Sequence, residues 1–252
     1  MSGHSKWASI KHKKAATDAK RGALFTKLIR ELTAAARQGG GNVETNIRLR
    51  AAIIRAKAQS MPASNIDNAI KKGTGELPGV VYEEMTYEGY GPKGVAIMID
   101  TLTDNKNRTT AELRNLLSKK NGNLAGSGSV SWIFSKKGYI AVDKKDIAED
   151  KLMDIALEAG AEDMKTEGDS FEIFTAPTNA FDSVKAALDK NKIKTQDAEI
   201  TMVPSSTIKL EGSDAKIILE LVEALEEHED VQHVYANFDI PDSVLDEINK
   251  EE

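Results

Sequence analysis

GYIAVDKKDIAEDKLMDIALEAGAEDMKTEGDSFEIFTAPTNAFDSVKAALDKNKIKTQDAEITMV, residues 138–203, is the stretch that decides the fold. Its apolar pattern changes period four times. Tyr139–Val142 reads as a strand, Ile147–Ala159 as a helix, the region of Met164 and then Ser170–Thr175 as strands, Asn179–Lys190 as a helix, and Glu199–Val203 as a strand. The order β-α-β-β-α-β is a complete split-βαβ, ferredoxin-like unit. Upstream lie strands at Glu83–Tyr90 and Gly94–Thr101, a helix capped by Thr109 with Leu113, Leu116 and Leu117 inward, and a strand at Ser129–Phe134. Downstream come a short strand at Thr207–Leu210, a helix at Ser213–Glu227 and a strand at Val231–Ile240. The piece running from Gly94 to Phe134 supplies only β-α-β, and with the downstream elements it completes a second β-α-β-β-α-β set. One domain, 136–205, is therefore expected inside another, 80–135 plus 206–241. Two sequential domains would leave incomplete sheets with open edges.

Residues 1–76 read differently. Ser2–Lys14 is a small, polar, basic arm. From Ala15 the period is helical, with Leu24, Leu28 and Leu32 four apart, until Gln38 meets three glycines. A second helix is expected over Thr45–Ser60, stopped by Pro62. A third should start with Ser64 as N-cap and Asp67 three residues on, and end at Gly73. Gly75–Gly79 is the linker. The expected class is α+β multidomain, a three-helix head followed by two ferredoxin-like α/β domains, one inserted in the other.

The 252 residues contain no cysteine, which removes disulfides, thiolate metal sites and cysteine nucleophiles and fits a reducing compartment. The N-terminus has no apolar stretch of a secretory signal. The longest apolar run, Val95–Ile99, falls far short of the ~20 residues of a membrane span. A cytoplasmic chain without membrane contact is expected.

Charge is partitioned along the chain. Met1–Gly75 holds 15 Lys and Arg against 4 Asp and Glu; of the chain's 34 basic and 40 acidic residues, 19 and 36 remain for Glu76–Glu252. A head at +11 on a body at −17 points to nucleic acid as partner, bound through the head. Lys13, Lys20, Lys27, Arg30 and Arg37 fall in one helical arc, with Arg21 beside them. Arg48 and Arg55 share a line on the second helix, and Arg50 and Lys57 another. Lys6, Lys11, His12 and Lys14 extend the surface along the arm. The expected phosphate contacts are Lys6, Lys11, Lys13, Lys14, Lys20, Arg21, Lys27, Arg30, Arg48, Arg50 and Lys57, with His12 among them. Trp7, between these cations, suits a stacked base and equally a hydrophobic anchor.

Other motifs are weaker. Gly89-Tyr-Gly-Pro-Lys-Gly94 has glycine spacing of a dinucleotide loop but precedes a strand, so a turn is expected. Thr103-Asp-Asn-Lys-Asn-Arg-Thr109 supplies turn and cap residues; as a helix N-terminus with Asn105, Asn107 and Arg108 it is also a candidate second phosphate site. His228 and His233 lack a third ligand, and no nucleophile elbow or P-loop occurs. No enzymatic activity, metal or cofactor is expected. A head that binds an acidic protein is the other class of reading.

Several stretches resemble one family. They are residues 1–32 (MSGHSKWASIKHKKAATDAKRGALFTKLIREL), Asn46-Ile-Arg-Leu-Arg50, Met61-Pro62 with Asn65-Ile66, Ala69-Ile-Lys-Lys-Gly-Thr-Gly-Glu76, Tyr87-Glu-Gly-Tyr-Gly-Pro92, Thr103–Thr109 and Gly128-Ser-Val-Ser-Trp-Ile-Phe134. Together they are similar to the YebC/PmpR family, with departures at Ser60, Lys106 and Asn121-Gly122 that spare the basic stripe. The resemblance implies three domains and no catalysis. It also implies one of two roles, a DNA-binding transcriptional regulator or a ribosome-associated factor that binds ribosomal RNA and relieves stalling at proline-rich stretches.

Overall fold

A computed structural model describes residues 18–241 and Val244, with side chains from Gly22 onward. The described residues up to Ser131 together with Glu211–Ala236 make one compact unit, and Trp132–Leu210 with the segment from Asn237 makes the other.

The first unit begins with helices α1 (Asp18–Gly39), α2 (Ile47–Ala58) and α3 (Ala63–Thr74). Leu32, Ala35, Leu49, Ala52, Ala56, Ile66 and Ala69 close their common core. Small residues let α1 and α3 approach: a Cβ on Gly73 would lie 2.5 Å from the Thr33 carbonyl oxygen and 2.7 Å from the Ala36 Cβ. Asn46 ties α1 to α2. Its amide donates to the Ala35 and Gly40 carbonyls, both at 2.8 Å, and its oxygen accepts the Leu49 N–H at 3.0 Å as the N-cap. The third helix starts two residues earlier than the Ser64 cap implies. Pro62, held at φ −57° and ψ 138°, is the N-cap, and its carbonyl accepts the Asn65 N–H. Gly75 ends the helix in the left-handed region, where glycine carries no Cβ penalty.

The same unit continues through β1 (Glu83–Tyr90), β2 (Ala96–Thr103), α4 (Lys106–Lys119) and β3 (Asn123–Ala125). It resumes after the second unit with α7 (Gly212–Glu227) and β9 (Val231–Ala236), which take their numbers from chain order. The sheet order is β3-β1-β2-β9, all pairs antiparallel. Ile97, Ile99, Leu113, Leu117, Ile218, Leu221 and Leu225 are buried between sheet and helices.

The second unit holds β4 (Phe134–Asp143), α5 (Glu149–Glu158), β5 (Ala161–Glu167), β6 (Ser170–Thr175), α6 (Asn179–Lys190) and β7 (Thr195–Pro204). Its sheet order β5-β6-β4-β7 is the ferredoxin-like arrangement, and Ile140, Val142, Leu152, Phe171, Ile173, Val184 and Leu188 fill the core beneath it. The multidomain α+β class with a helical head thus describes the chain. Among the described residues no helix is long and apolar enough to cross a membrane.

Two strand assignments are corrected. Thr207–Leu210 does not join the first sheet; β8 (Ile208–Lys209) pairs in parallel with β10 (Phe238–Asp239), and the expected place is filled by β3. Gly122 permits that return, since a Cβ there would lie 2.5 Å from the Tyr90 carbonyl oxygen. Ser129–Phe134 is not a strand before Phe134. The Glu88 carboxylate accepts the N–H groups of Gly128 (2.7 Å), Val130 (2.6 Å) and Ser131 (2.9 Å), so these amides are withdrawn from ladder pairing. Burial by itself would raise the Glu88 carboxyl, but the three amides outweigh it and hold it below the ordinary glutamate value.

Candidate nucleic-acid interface

Lys6, Trp7, His12 and the lysines at 11, 13 and 14 lie outside the described residues, as do the side chains of Lys20 and Arg21. The remaining expected contacts sit on the helices and divide into two groups. Lys57 is exposed near the end of α2, as are Arg37 in the last turn of α1 and Lys71 and Lys72 in the last turn of α3. The two lysines of α3 were not among the contacts expected from sequence. Their exposure on the same small head adds them to the cationic surface.

The second group is engaged internally. Lys27 donates to the Glu226 carbonyl at the end of α7, where the helix dipole favours a cation. Arg48 bonds Glu84, Glu31 at 3.3 Å and Gln38 at 2.8 Å, and Arg55 reaches the same Glu31 at 3.3 Å. Burial would lower the Arg48 value, but Glu84 and Glu31 reverse that and keep it firmly charged. Arg50 folds back onto the Val43 and Glu44 carbonyls at 3.1 and 2.6 Å.

Arg30 is a correction. It is 7% exposed and its guanidinium is committed to Asp230, to Glu229 at 3.0 Å and to the Leu102 carbonyl at 3.3 Å, with the Tyr82 ring 5.4 Å away. A side chain so enclosed is not offered to phosphate. The arc drawn from sequence placed Arg30 with Lys27 and Arg37 on one side of α1. It did not show that this face of α1 would be covered by the sheet.

Asp230 is the centre of that contact. It is fully buried and lies just before β9. It accepts from Arg108 at 3.0 and 3.2 Å and from the Thr109 hydroxyl at 2.7 Å, and the Thr103 hydroxyl lies 3.3 Å away. The stretch Thr103–Thr109 therefore builds this node. Asn105, not Thr109, caps α4: its oxygen accepts the Arg108 N–H at 3.1 Å, which frees the Thr109 hydroxyl to turn inward. Arg108 also bonds Asp104 at 2.8 Å. The candidate phosphate site of Asn105, Asn107 and Arg108 thus has its capping amide satisfied and its cation between two carboxylates, while Asn107 stays exposed. No signal in the linear sequence joined Asp230 to this motif more than a hundred residues away.

Beside the node, Glu112, His228 and Asp230 bring ligand-type atoms within 4.8 Å of one another. Their bonding already assigns them. His228 Nδ1 accepts the Asp230 backbone N–H at 3.1 Å, which puts the ring proton on Nε2, 2.8 Å from Glu112. Asp230 faces two guanidinium groups, which oppose a cation there. His233 is separate, beside Tyr235 on β9, with ring centroids 6.0 Å apart.

With this geometry in place, the relatives are informative. Residues 5–76 match the family model described as the TACO1/YebC protein N-terminal domain, and residues 82–238 match the TACO1/YebC second and third domain. The chain belongs to the TACO1/YebC family. A relative from Syntrophobacter fumaroxidans is 55% identical over 98% of this chain and 100% of its own length, and one from Dictyoglomus thermophilum 55% over 99% and 100%. A third, from Thermotoga maritima, is 54% identical over 98% of each chain. All three bear the name "Probable transcriptional regulatory protein". A crystal structure of a conserved hypothetical protein from Aquifex aeolicus is 49% identical, covers 94% of this chain and 97% of its own, and superposes with a TM-score of 0.77. At the level of the family the chain is a regulator of gene expression. The family boundary at 76 and 82 falls in the Gly75–Gly79 linker region.

Proposed function

We propose that this TACO1/YebC member regulates gene expression by binding nucleic acid, with the basic arm and the outward cations of the head as phosphate contacts, and without catalysing a reaction. The partition of charge carries the reading: a +11 head on a −17 body. The structure refines which cations are available. With Arg30 enclosed and Lys27, Arg48 and Arg50 engaged internally, the contacts fall to Lys6, Lys11, Lys13, Lys14, Lys20 and Arg21, joined by Arg37, Lys57, Lys71 and Lys72. Relatives named as transcriptional regulators support DNA as the target.

One observation favours ribosomal RNA instead. A DNA major-groove reader needs a helix face of hydrogen-bonding side chains. The exposed face of α2 is centred on Ile47, Ala51, Ile54 and Ala58, with Arg50, Arg55 and Lys57 beside them, while α1 is covered on both its Leu32 and its Arg30 sides. Backbone contact through a basic arm needs no such face and suits an irregular RNA surface. Crosslinking in cells, sorted into ribosomal RNA and chromosomal DNA, tests the choice. A DNA-dominated set with a recurring sequence would refute the ribosomal version, and a set with neither would refute nucleic-acid binding.

A further inference from the structure

Helix α2 carries an apolar seam that no other element covers among the described residues. Ile47 is 77% exposed and Ile54 61%, and Ala51 and Ala58 are exposed between and beyond them. Positions 47, 51, 54 and 58 are spaced four, three and four apart, so they form one line along the helix. Scattered exposed apolar residues are ordinary, but a full-length line is not. Helix stability does not explain it either, because β-branched isoleucine is a poorer helix former than alanine, leucine or lysine. Cations flank the seam. Arg50, with its side chain 45% exposed, and Lys57 lie on one side; Arg55, 49% exposed, lies on the other. At its C-terminal end the seam runs into a hollow of about 240 Å³ among α1, α2 and β9, lined by Ala58 of the seam, by the flanking Arg55, by Leu24, Leu28 and His233, and by the charged Lys27 and Glu31.

We propose that this seam is a docking site for an acidic amphipathic helix of a partner protein. Its apolar line would lie on Ile47–Ala58, its carboxylates would face Lys57 on one side and on the other the half-exposed Arg55, which also pairs with Glu31, and one end would seat in the hollow. The two requirements, an apolar line and cations on both sides, select against a polar helix and against a basic one. Lys57 is shared with the phosphate contacts proposed above.

The test uses the full chain and a fluorescent peptide of about 16 residues, enough to cover the helix. The peptide is helical and acidic, with leucines at i, i+4, i+7 and i+11. Two controls replace the leucines by serine or the glutamates by lysine. The expected result is binding of the acidic leucine peptide alone, weakened at least about tenfold by Ile54→Asp, with helical content and melting temperature unchanged. Ile200→Asp, on the other unit, should leave binding intact. Equal affinity of wild type and Ile54→Asp, or equal binding of all three peptides, would overturn the proposal. A photo-crosslinker at position 54 in cells gives an independent readout: adducts on acidic helical segments support docking, and adducts on nucleic acid refute it. The nucleic-acid reading stands apart, since Ile54→Asp should keep the salt dependence of nucleic-acid binding.

Discussion

Replacing Arg30 and Asp230 singly separates a structural cation from a phosphate contact. Asp230→Ala removes the carboxylate shared by Arg30 and Arg108 and leaves each only its outer partner, Glu229 or Asp104, at a place where Arg30 is 7% exposed. Removing one partner of a buried ion pair costs about 3–5 kcal/mol. Arg30→Met is milder. Asp230 keeps Arg108 at 3.0 and 3.2 Å and Thr109 at 2.7 Å, so the main loss is the bond to a charged partner, about 1.5–3 kcal/mol, and the methionine retains much of the buried stem. Urea unfolding followed by circular dichroism, with hydrogen exchange on peptides covering β2 and β9, measures both. Asp230→Ala should lower the midpoint more than Arg30→Met. The nucleic-acid arm of the experiment is the slope of log affinity against log salt. Each phosphate-contacting cation contributes about 0.9 to that slope on duplex DNA, and Arg30→Met should leave it unchanged. A slope reduced by about one without loss of stability would show that Arg30 contacts phosphate and that the buried pair is misassigned. An Asp230→Ala variant as stable as Arg30→Met would refute the role given to the carboxylate.

Replacing Lys11, Lys13 and Lys14 together by alanine should reduce the salt slope by roughly two to three while the melting temperature stays put, and an unchanged slope removes the arm from the interface. Gly73→Ala forces a methyl to within 2.5 Å of the Thr33 carbonyl, so a loss of about 1–3 kcal/mol is expected, read as a lower urea midpoint; a neutral substitution would mean that α1 and α3 part easily. Glu88 has a depressed folded-state value, so its contribution is present above the unfolded glutamate value and is lost as pH falls through the folded one. Glu88→Gln should therefore be destabilised at neutral pH and show a flatter acid limb in stability against pH, whereas parallel curves would count against the amide nest. Glu172 runs in the other sense. Burial raises its carboxyl, against the Tyr139 hydrogen bond, so removing its charge with Glu172→Gln should help stability more at neutral than at acid pH, and a pH-independent change would refute that.

Periodicity was enough for the elements whose own side chains carry the signal. The inserted unit was legible from residues 138–203 because its strands and helices each present one apolar face to one core, and Ile140, Val142, Leu152, Ile173, Val184 and Leu188 fill it. The head was legible for the same reason, except at Ser64, where the fixed backbone of Pro62 started the helix earlier. Failures came where a backbone group had a distant partner. Gly128–Ser131 has strand composition, yet Glu88, some forty residues earlier, takes its amides. Thr109 has cap chemistry, yet Asn105 caps and Thr109 turns to Asp230.

The same distinction governs the cationic surface. The sequence by itself determined how many positive charges the head holds and that the acids lie elsewhere, because charge is a sum over residues and needs no geometry. Which of those charges face solvent was decided by tertiary structure. A helix has several faces: the face of α1 that carries Arg30 was taken by the end of the sheet at Leu102 and Asp230, while the face of α2 that carries Ile47 and Ile54 is exposed among the described residues. Burial depends on what packs against a face, and the residues that pack here come from segments separated from it by 72 and 200 positions.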